Sequence, residues 1–161
     1  MRQYAEAFDR YYAERFGVLV GQVYAMCGNA AEASDCVQEA FVKAWGRREQ
    51  FGAMANKDAW IRTVARNLTV SAWRRHRREV ALSAEPLARV PDAAARRSLH
   101  RALRTLPDNH RHAIVLHYLV DLPVADVATE LNSSEGTVRV WLSRGRARLA
   151  ELLDDKETNH A

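Results

Sequence analysis

Four arginines and a serine crowd one short stretch, TVRVWLSRGRARL from Thr137, as Arg139, Ser143, Arg144, Arg146 and Arg148, and no acid balances them before Glu151. Guanidinium groups at that density suit an anionic surface such as phosphate. Acid-base or metal chemistry has a weaker claim. Asp108, His110, His112 and His117 form the conspicuous titratable cluster, and His110 and His117 can share a helical face. His112 cannot readily join them, so a three-histidine metal site would be forced. The chain has two cysteines, Cys27 and Cys36, which lack C-x-x-C spacing and read as buried free thiols. It has no Gly-rich phosphate loop, no H-E-x-x-H string and no nucleophile elbow. A binding role is expected, with no catalytic residue, metal or cofactor.

The arginines need a support that holds them outward. Val124, Val127, Ala128 and Leu131 recur at the i, i+3, i+4, i+7 spacing of a short amphipathic helix. Asn132 follows where a left-handed residue would end that helix, and Ser133 and Ser134 are natural N-caps. Val138, Leu142, Gly145, Leu149 and Leu152 then form a second apolar stripe that leaves the arginines pointing mainly away from it. The pattern predicts a helix-turn-helix whose second helix suits a major groove.

The 161 residues are 48% hydrophobic and carry a net charge of +4, and no run approaches the roughly 18 apolar residues of a membrane span. The N-terminal residues carry acids and aromatics where a secretory signal would be apolar, so a cytoplasmic chain without a membrane partner is expected. Charge is uneven. Residues 1–41 hold three arginines against six acids, whereas residues 57–78 hold seven basic residues against Asp58 alone. The first segment repels phosphate and the second attracts it.

Helical periodicity dominates, with no convincing period-two segment, so the fold expected is all-α: two small helical domains joined by a flexible linker. Helices are expected over 3–16, 18–27, from 34 onward, 58–76, 96–105 and 108–120, ahead of the helix-turn-helix, with 46–57 becoming loop-like. Pro86 and Pro91 mark a linker over 79–95. The helix from Asp58 places Arg62, Arg66, Thr69 and Trp73 roughly opposite Ile61, Val64 and Leu68, ahead of a WRRHRR run. Arginines beside an aromatic suit capture of an unpaired strand, although Trp73 fits a core position equally well; Trp60 reads as core. The helix from Ser34 carries Asp35, Gln38, Glu39 and Val42 opposite Phe41 and Trp45, an acidic stripe suited to a basic protein partner.

Three strings now stand in order: SDCVQEAFVKAW from Ser34, DAWIRTVARN from Asp58, and SSEGTVRVWLSRGRARL from Ser133. Together they resemble the extracytoplasmic-function (ECF) group of bacterial RNA polymerase sigma factors, in the sigma-70 family, over nearly the whole chain. The resemblance implies a sigma region 2 domain over 1–78, a linker over 79–95, a region 4 domain over 96–155 and a tail over 156–161. It implies that Asp35, Gln38, Glu39, Phe41 and Val42 dock on the clamp helices of the polymerase's largest subunit, with the flap of the second-largest subunit as a further contact. It assigns the minus-ten element and its melting to Asn56, Lys57, Arg62, Arg66, Asn67, Trp73, Arg74 and Arg75. It assigns the minus-thirty-five element to Ser134, Glu135, Gly136, Thr137, Arg139, Val140, Ser143, Arg144 and Arg146. Promoter DNA and core polymerase are the implied partners, and an anti-sigma factor is one the resemblance allows.

The chain departs from the family pattern at several positions. Asn132 stands where Gly is frequent, Ser71 where an acid is common, and Val140 and Trp141 replace an S-R pair. Two other readings fit parts of the chain: a helix-turn-helix repressor or activator binding duplex DNA as a dimer, and an enzyme built on the histidines. The acidic stripe and the linker between two DNA-facing units suit the first poorly, and the spacing of the histidines argues against the second.

Overall fold

A left-handed glycine and an asparagine side chain make the first corner. Helix α1 (Arg2–Cys27) ends at Gly28, whose φ of 76° suits a residue without a Cβ and whose N–H donates to the Tyr24 carbonyl at 2.7 Å. Asn29 is extended, and its Oδ1 accepts the Glu32 N–H at 2.9 Å, which starts α2 (Ala30–Gly46). The computed structural model describes residues 2–79 and 93–158, and side chains over 2–71 and 97–155. The chain divides into two units, Met1–Ala88 and Arg89–Ala161, and every element among the described residues is helical.

Three expectations for the first unit are corrected. The break between residues 16 and 18 does not occur: α1 runs unbroken through Gly17 because Phe8, Tyr12, Phe16, Leu19 and Val23 share one inward stripe, and that burial outweighs a glycine's cost of about 1 kcal/mol. The helix expected from 34 starts earlier, at Ala30 behind its Asn29 cap, and ahead of the loop-like far end of 46–57 lies a short helix, α3 (Arg48–Gly52), which inserts buried Phe51 into an aromatic cluster. Helix α4 (Lys57–Glu79) packs against both α1 and α2, so more than one of its faces is covered. At the centre of the unit Phe41 meets Tyr12 edge-on at 4.9 Å between ring centroids and Phe8 at 6.0 Å, while Trp60 lies edge-on to Phe51 at 5.6 Å.

A polar anchor ties α1 to the start of α4. The Tyr11 hydroxyl donates to Asp58 Oδ1 at 2.6 Å, and the Arg15 guanidinium donates to Oδ2 at 2.7 Å. Burial disfavours charge on Asp58, but the hydrogen bonds from Arg15 and Tyr11 outweigh it and hold the carboxyl below the usual carboxylate range. Burial and then the Asp58 hydrogen bond push the Tyr11 phenol up.

In the second unit α5 (Ala93–Arg104) and α6 (Asp108–Ile114) flank Pro107. The helix expected over 108–120 does not stay α-helical: it widens into a π turn, Val115–Leu119, in which the Val120 N–H reaches the Val115 carbonyl at 3.0 Å. Asp121, at φ 65°, closes the turn, with the Leu122 N–H on the Leu116 carbonyl at 3.0 Å. Helices α7 (Val124–Glu130) and α8 (Glu135–Thr158) follow, and α8 carries into the tail expected from residue 156. The core gathers Leu103, Leu106, Val115, Leu116, Val127, Val138 and Leu142. Of the linker expected over 79–95, Glu79 belongs to α4 and Ala93 starts α5, and residues 80–92 lie outside the described ones.

Two outcomes follow from this packing. Gly21 is exposed in mid-helix with open space where a Cβ would lie, so Gly21→Ala raises stability by about 0.5–1 kcal/mol, read as a higher urea midpoint. Asp58 titrates lower in the folded chain than its unfolded value near 3.9, so its contribution is complete above about pH 5 and is lost as pH falls through the folded pKa. Asp58→Asn therefore costs about 1–2 kcal/mol at neutral pH, and the two urea midpoints converge as pH falls below about 4.

Candidate nucleic-acid interface

The corner between α7 and α8 is built from backbone. Asn132 takes the left-handed conformation at φ 53°, its N–H donates to the Thr129 carbonyl at 3.2 Å, and the Ser133 N–H donates to the Ala128 carbonyl at 2.9 Å. This paired closure is the Schellman arrangement, with the left-handed position filled by Asn. Ser134, not Ser133, is the cap: its Oγ accepts the Thr137 N–H at 3.1 Å and its hydroxyl donates to Thr137 Oγ1 at 2.8 Å. Between the helices lies a shallow hollow lined by Thr129, Asn132, Ser133, Ser134 and Glu135.

Val138, Leu142 and Gly145 of α8 face inward, with Leu149 and Leu152 half-buried beyond them. Gly145 permits a close approach, since a Cβ there would lie 2.8 Å from Ile114 Cγ1. All nine residues expected to meet the minus-thirty-five element, Ser134, Glu135, Gly136, Thr137, Arg139, Val140, Ser143, Arg144 and Arg146, are exposed. The arginines are not equivalent. Arg146 donates to the Tyr118 hydroxyl at 2.8 Å and Arg148 pairs with Glu151 at 3.1 Å. Among the described residues no hydrogen bond or ion pair holds Arg139 or Arg144.

The basic helix of the first unit is spent differently. Arg62 is 2% exposed, and its guanidinium donates to Gln22 Oε1 at 3.1 Å. Thr69 is buried as well, with its hydroxyl on the Arg66 carbonyl at 2.6 Å. The expected outward face of Arg62, Arg66 and Thr69 is thus corrected: α1 covers part of it, and Arg66 is half-buried. Asn56 is the N-cap of α4, accepting the Ala59 N–H at 3.0 Å, and Lys57 Nζ reaches the Met54 carbonyl at 3.3 Å. Asn67 is exposed, as is Ser71. Trp73, Arg74 and Arg75 lie outside the residues whose side chains are described.

Periodicity missed a groove between α2 and α4, where Lys43, Arg47 and Trp60 line a hollow with Asn67 and Ser71. The basic residues beside the Gly46 break were the available signal. Trp60 packs partly buried against the core while lining this groove. On α2, Asp35, Gln38, Glu39 and Val42 form an exposed stripe, with Val42 65% exposed. Phe41 does not join them. It is 2% exposed because its ring is the hub of the aromatic cluster, so it supports the stripe from beneath.

Other chemistry finds little support. Cys36 is buried and Cys27 half-buried, both unpaired by disulfide, and burial pushes the Cys36 thiol up to about 11. His112 is buried, and His117 Nδ1 lies 2.8 Å from the Leu122 carbonyl, which requires the proton on that nitrogen. Among the described residues no group of three His, Cys, Asp or Glu is placed to hold a metal, and no helix is long and apolar enough to cross a membrane.

The chain matches the family models "Sigma-70 region 2" over residues 12–79 and "Sigma-70, region 4" over residues 96–149. It is 36% identical to the ECF RNA polymerase sigma factor SigL of Mycobacterium tuberculosis, over 80% of this chain and 78% of that one. It is 29% identical to the ECF RNA polymerase sigma factor SigW of Bacillus subtilis, over 82% and 81%. Among solved structures, the sigma factor RpoE of Bartonella quintana, in complex with the anti-sigma factor NepR, superposes with a TM-score of 0.81 at 28% identity, covering 92% of this chain and 98% of that one. With both regions matched in order and the relatives aligned across most of their length, the chain belongs to the ECF group of sigma-70 family RNA polymerase sigma factors, which act in promoter-specific transcription initiation.

Proposed function

We propose that the two units divide promoter recognition, with α8 reading the minus-thirty-five element in the major groove and the first unit capturing the minus-ten element as it opens. The observation that carries this reading is the pair Arg139 and Arg144, exposed on one α8 surface and held by no partner among the described residues. Such cations give salt-dependent phosphate affinity and can donate to base edges, while Ser143 and Thr137 supply hydroxyls nearby. In the first unit the same duties fall to exposed Asn67, to the groove of Lys43, Arg47 and Trp60, and to the basic run that follows. Arg62 acts from inside, by fixing α1 against α4.

The exposed stripe of Asp35, Gln38, Glu39 and Val42 docks on the clamp helices of the largest polymerase subunit, and the second unit meets the flap of the second largest. The chain works in the cytoplasm, makes and breaks no bond, and is open to control by an anti-sigma protein, a reading supported by the Bartonella relative's complex with the anti-sigma factor NepR.

Reconstituted holoenzyme tests this. Transcription from a random promoter library should recover start sites with two separated elements, and failure to redirect initiation removes the reading. On the recovered promoter, Arg144→Ala weakens holoenzyme binding about 5- to 100-fold and lowers the salt slope by about one, whereas Arg148→Ala, whose guanidinium is already paired with Glu151, changes it less. Glu39→Arg weakens association with core polymerase by about tenfold without changing the circular dichroism spectrum, measured by fluorescence anisotropy of labelled chain.

A further inference from the structure

An apolar side chain stands in the middle of the arginine-bearing surface of α8, outside the buried core of its unit. Val140 is 45% exposed, while its neighbours on the helix, Arg139, Ser143 and Arg144, are all exposed and polar. The position is poorly suited to valine on structural grounds, since β-branching lowers helix propensity and the solvated face calls for a polar group. One turn earlier lies Gly136, with open space where a Cβ would be. A helical side chain leans toward the N-terminus of its helix, so the valine methyls lie toward the glycine. The residue also sits in the second turn of α8, the part of a recognition helix that reaches base edges.

Resting on the reading of α8 as the minus-thirty-five reader, we infer that Val140 contacts the C5-methyl group of one thymine in that element and so selects an A·T pair there. Three features favour a base over a protein as the occupant. Flanking cations with no partner among the described residues favour a polyanion, and an apolar protein surface would have to bury them unpaired. The thymine methyl is the one apolar group displayed in the major groove, and an apolar side chain is its complement. Valine has one strongly preferred rotamer in a helix, so it loses little freedom on contact.

The test uses holoenzyme and duplex probes of the promoter recovered from the library, each thymine of the minus-thirty-five element replaced in turn by deoxyuridine, which lacks only that methyl. The wild-type chain loses about fourfold in affinity at one position, the weight of one buried methyl. Val140→Ala binds the thymine probe about as weakly as wild type binds the uracil one, is indifferent to the exchange at that position, and keeps an unchanged salt slope. Val140→Ile retains the sensitivity. A scan flat at every thymine, or a Val140→Ala chain that keeps the wild-type sensitivity, overturns the inference. The two levels separate cleanly: a flat scan with Arg144→Ala still weakened sinks this contact alone, whereas Arg144→Ala without effect on affinity or salt slope sinks the assignment of α8 itself.

Discussion

One left-handed residue governs the second unit. Asn132, at φ 53°, lets the chain reverse between α7 and α8 in a few residues, and carbonyls of the preceding helix take up the N–H groups of the reversal. A β-branched residue in that conformation would strain the backbone, whereas Asn tolerates it nearly as well as Gly. Backbone groups satisfy most of the corner, and the side chains committed to it are the small hydroxyls of Ser133, on the Leu131 carbonyl, and of Ser134 and Thr137, on each other. Val127 and Ala128 on one helix, and Val138 and Leu142 on the other, can then close a core while the opposite side of α8 stays uncommitted.

The first unit uses its charges in the reverse way. Helix α4 is wedged between α1 and α2, so several polar groups on it must find partners within the protein: Arg62 on Gln22, and Asp58 between Tyr11 and Arg15. Asp58 also lies in the first turn of α4, where the positive end of the helix dipole favours a carboxylate. Arg62 adds to the field that keeps Asp58 charged, so a buried cation and a half-buried anion compensate each other across the helix junction. Little of this charge is left for a ligand. Among the described residues of α2 and α4, the charge that stays outside includes the acid-rich stripe of α2 and the basic rim of the α2–α4 groove.

How far the sequence could be read follows from how local each signal was. The α7–α8 corner and the stripe through Val138, Leu142 and Gly145 were legible because capping residues and a 3.6-residue period act within a few positions. The continuity of α1 was not, since the penalty at Gly17 is visible in the sequence while the compensating contacts with Phe41 and Phe51 come from distant residues. Arg62 and Thr69 were assigned outward because one helix considered alone shows one apolar edge; a second packing partner covers residues that no single-helix pattern marks. Phe41 shares a motif string with exposed residues, so the string could not separate the group that would touch a partner from the one that shapes the surface beneath it. The same holds for α3, whose buried Phe51 is defined by tertiary contacts.

The π turn at Val115–Leu119 sets which side chains face outward at the end of its helix. A wider turn of this kind holds one residue more than an α-helix of the same rise, which shifts the angular phase of the side chains that follow it in the same helix by about 100°. That shift leaves Tyr118 and Leu119 outside while Val115 and Leu116 stay within, and it brings the phenol of Tyr118 within bonding distance of Arg146. Loss of a single residue from this segment would restore ideal helix geometry and at the same time set the inward stripe out of step with the helices it fills. The spare residue thus acts as a phase adjuster, and regular helix here would be the damaging choice.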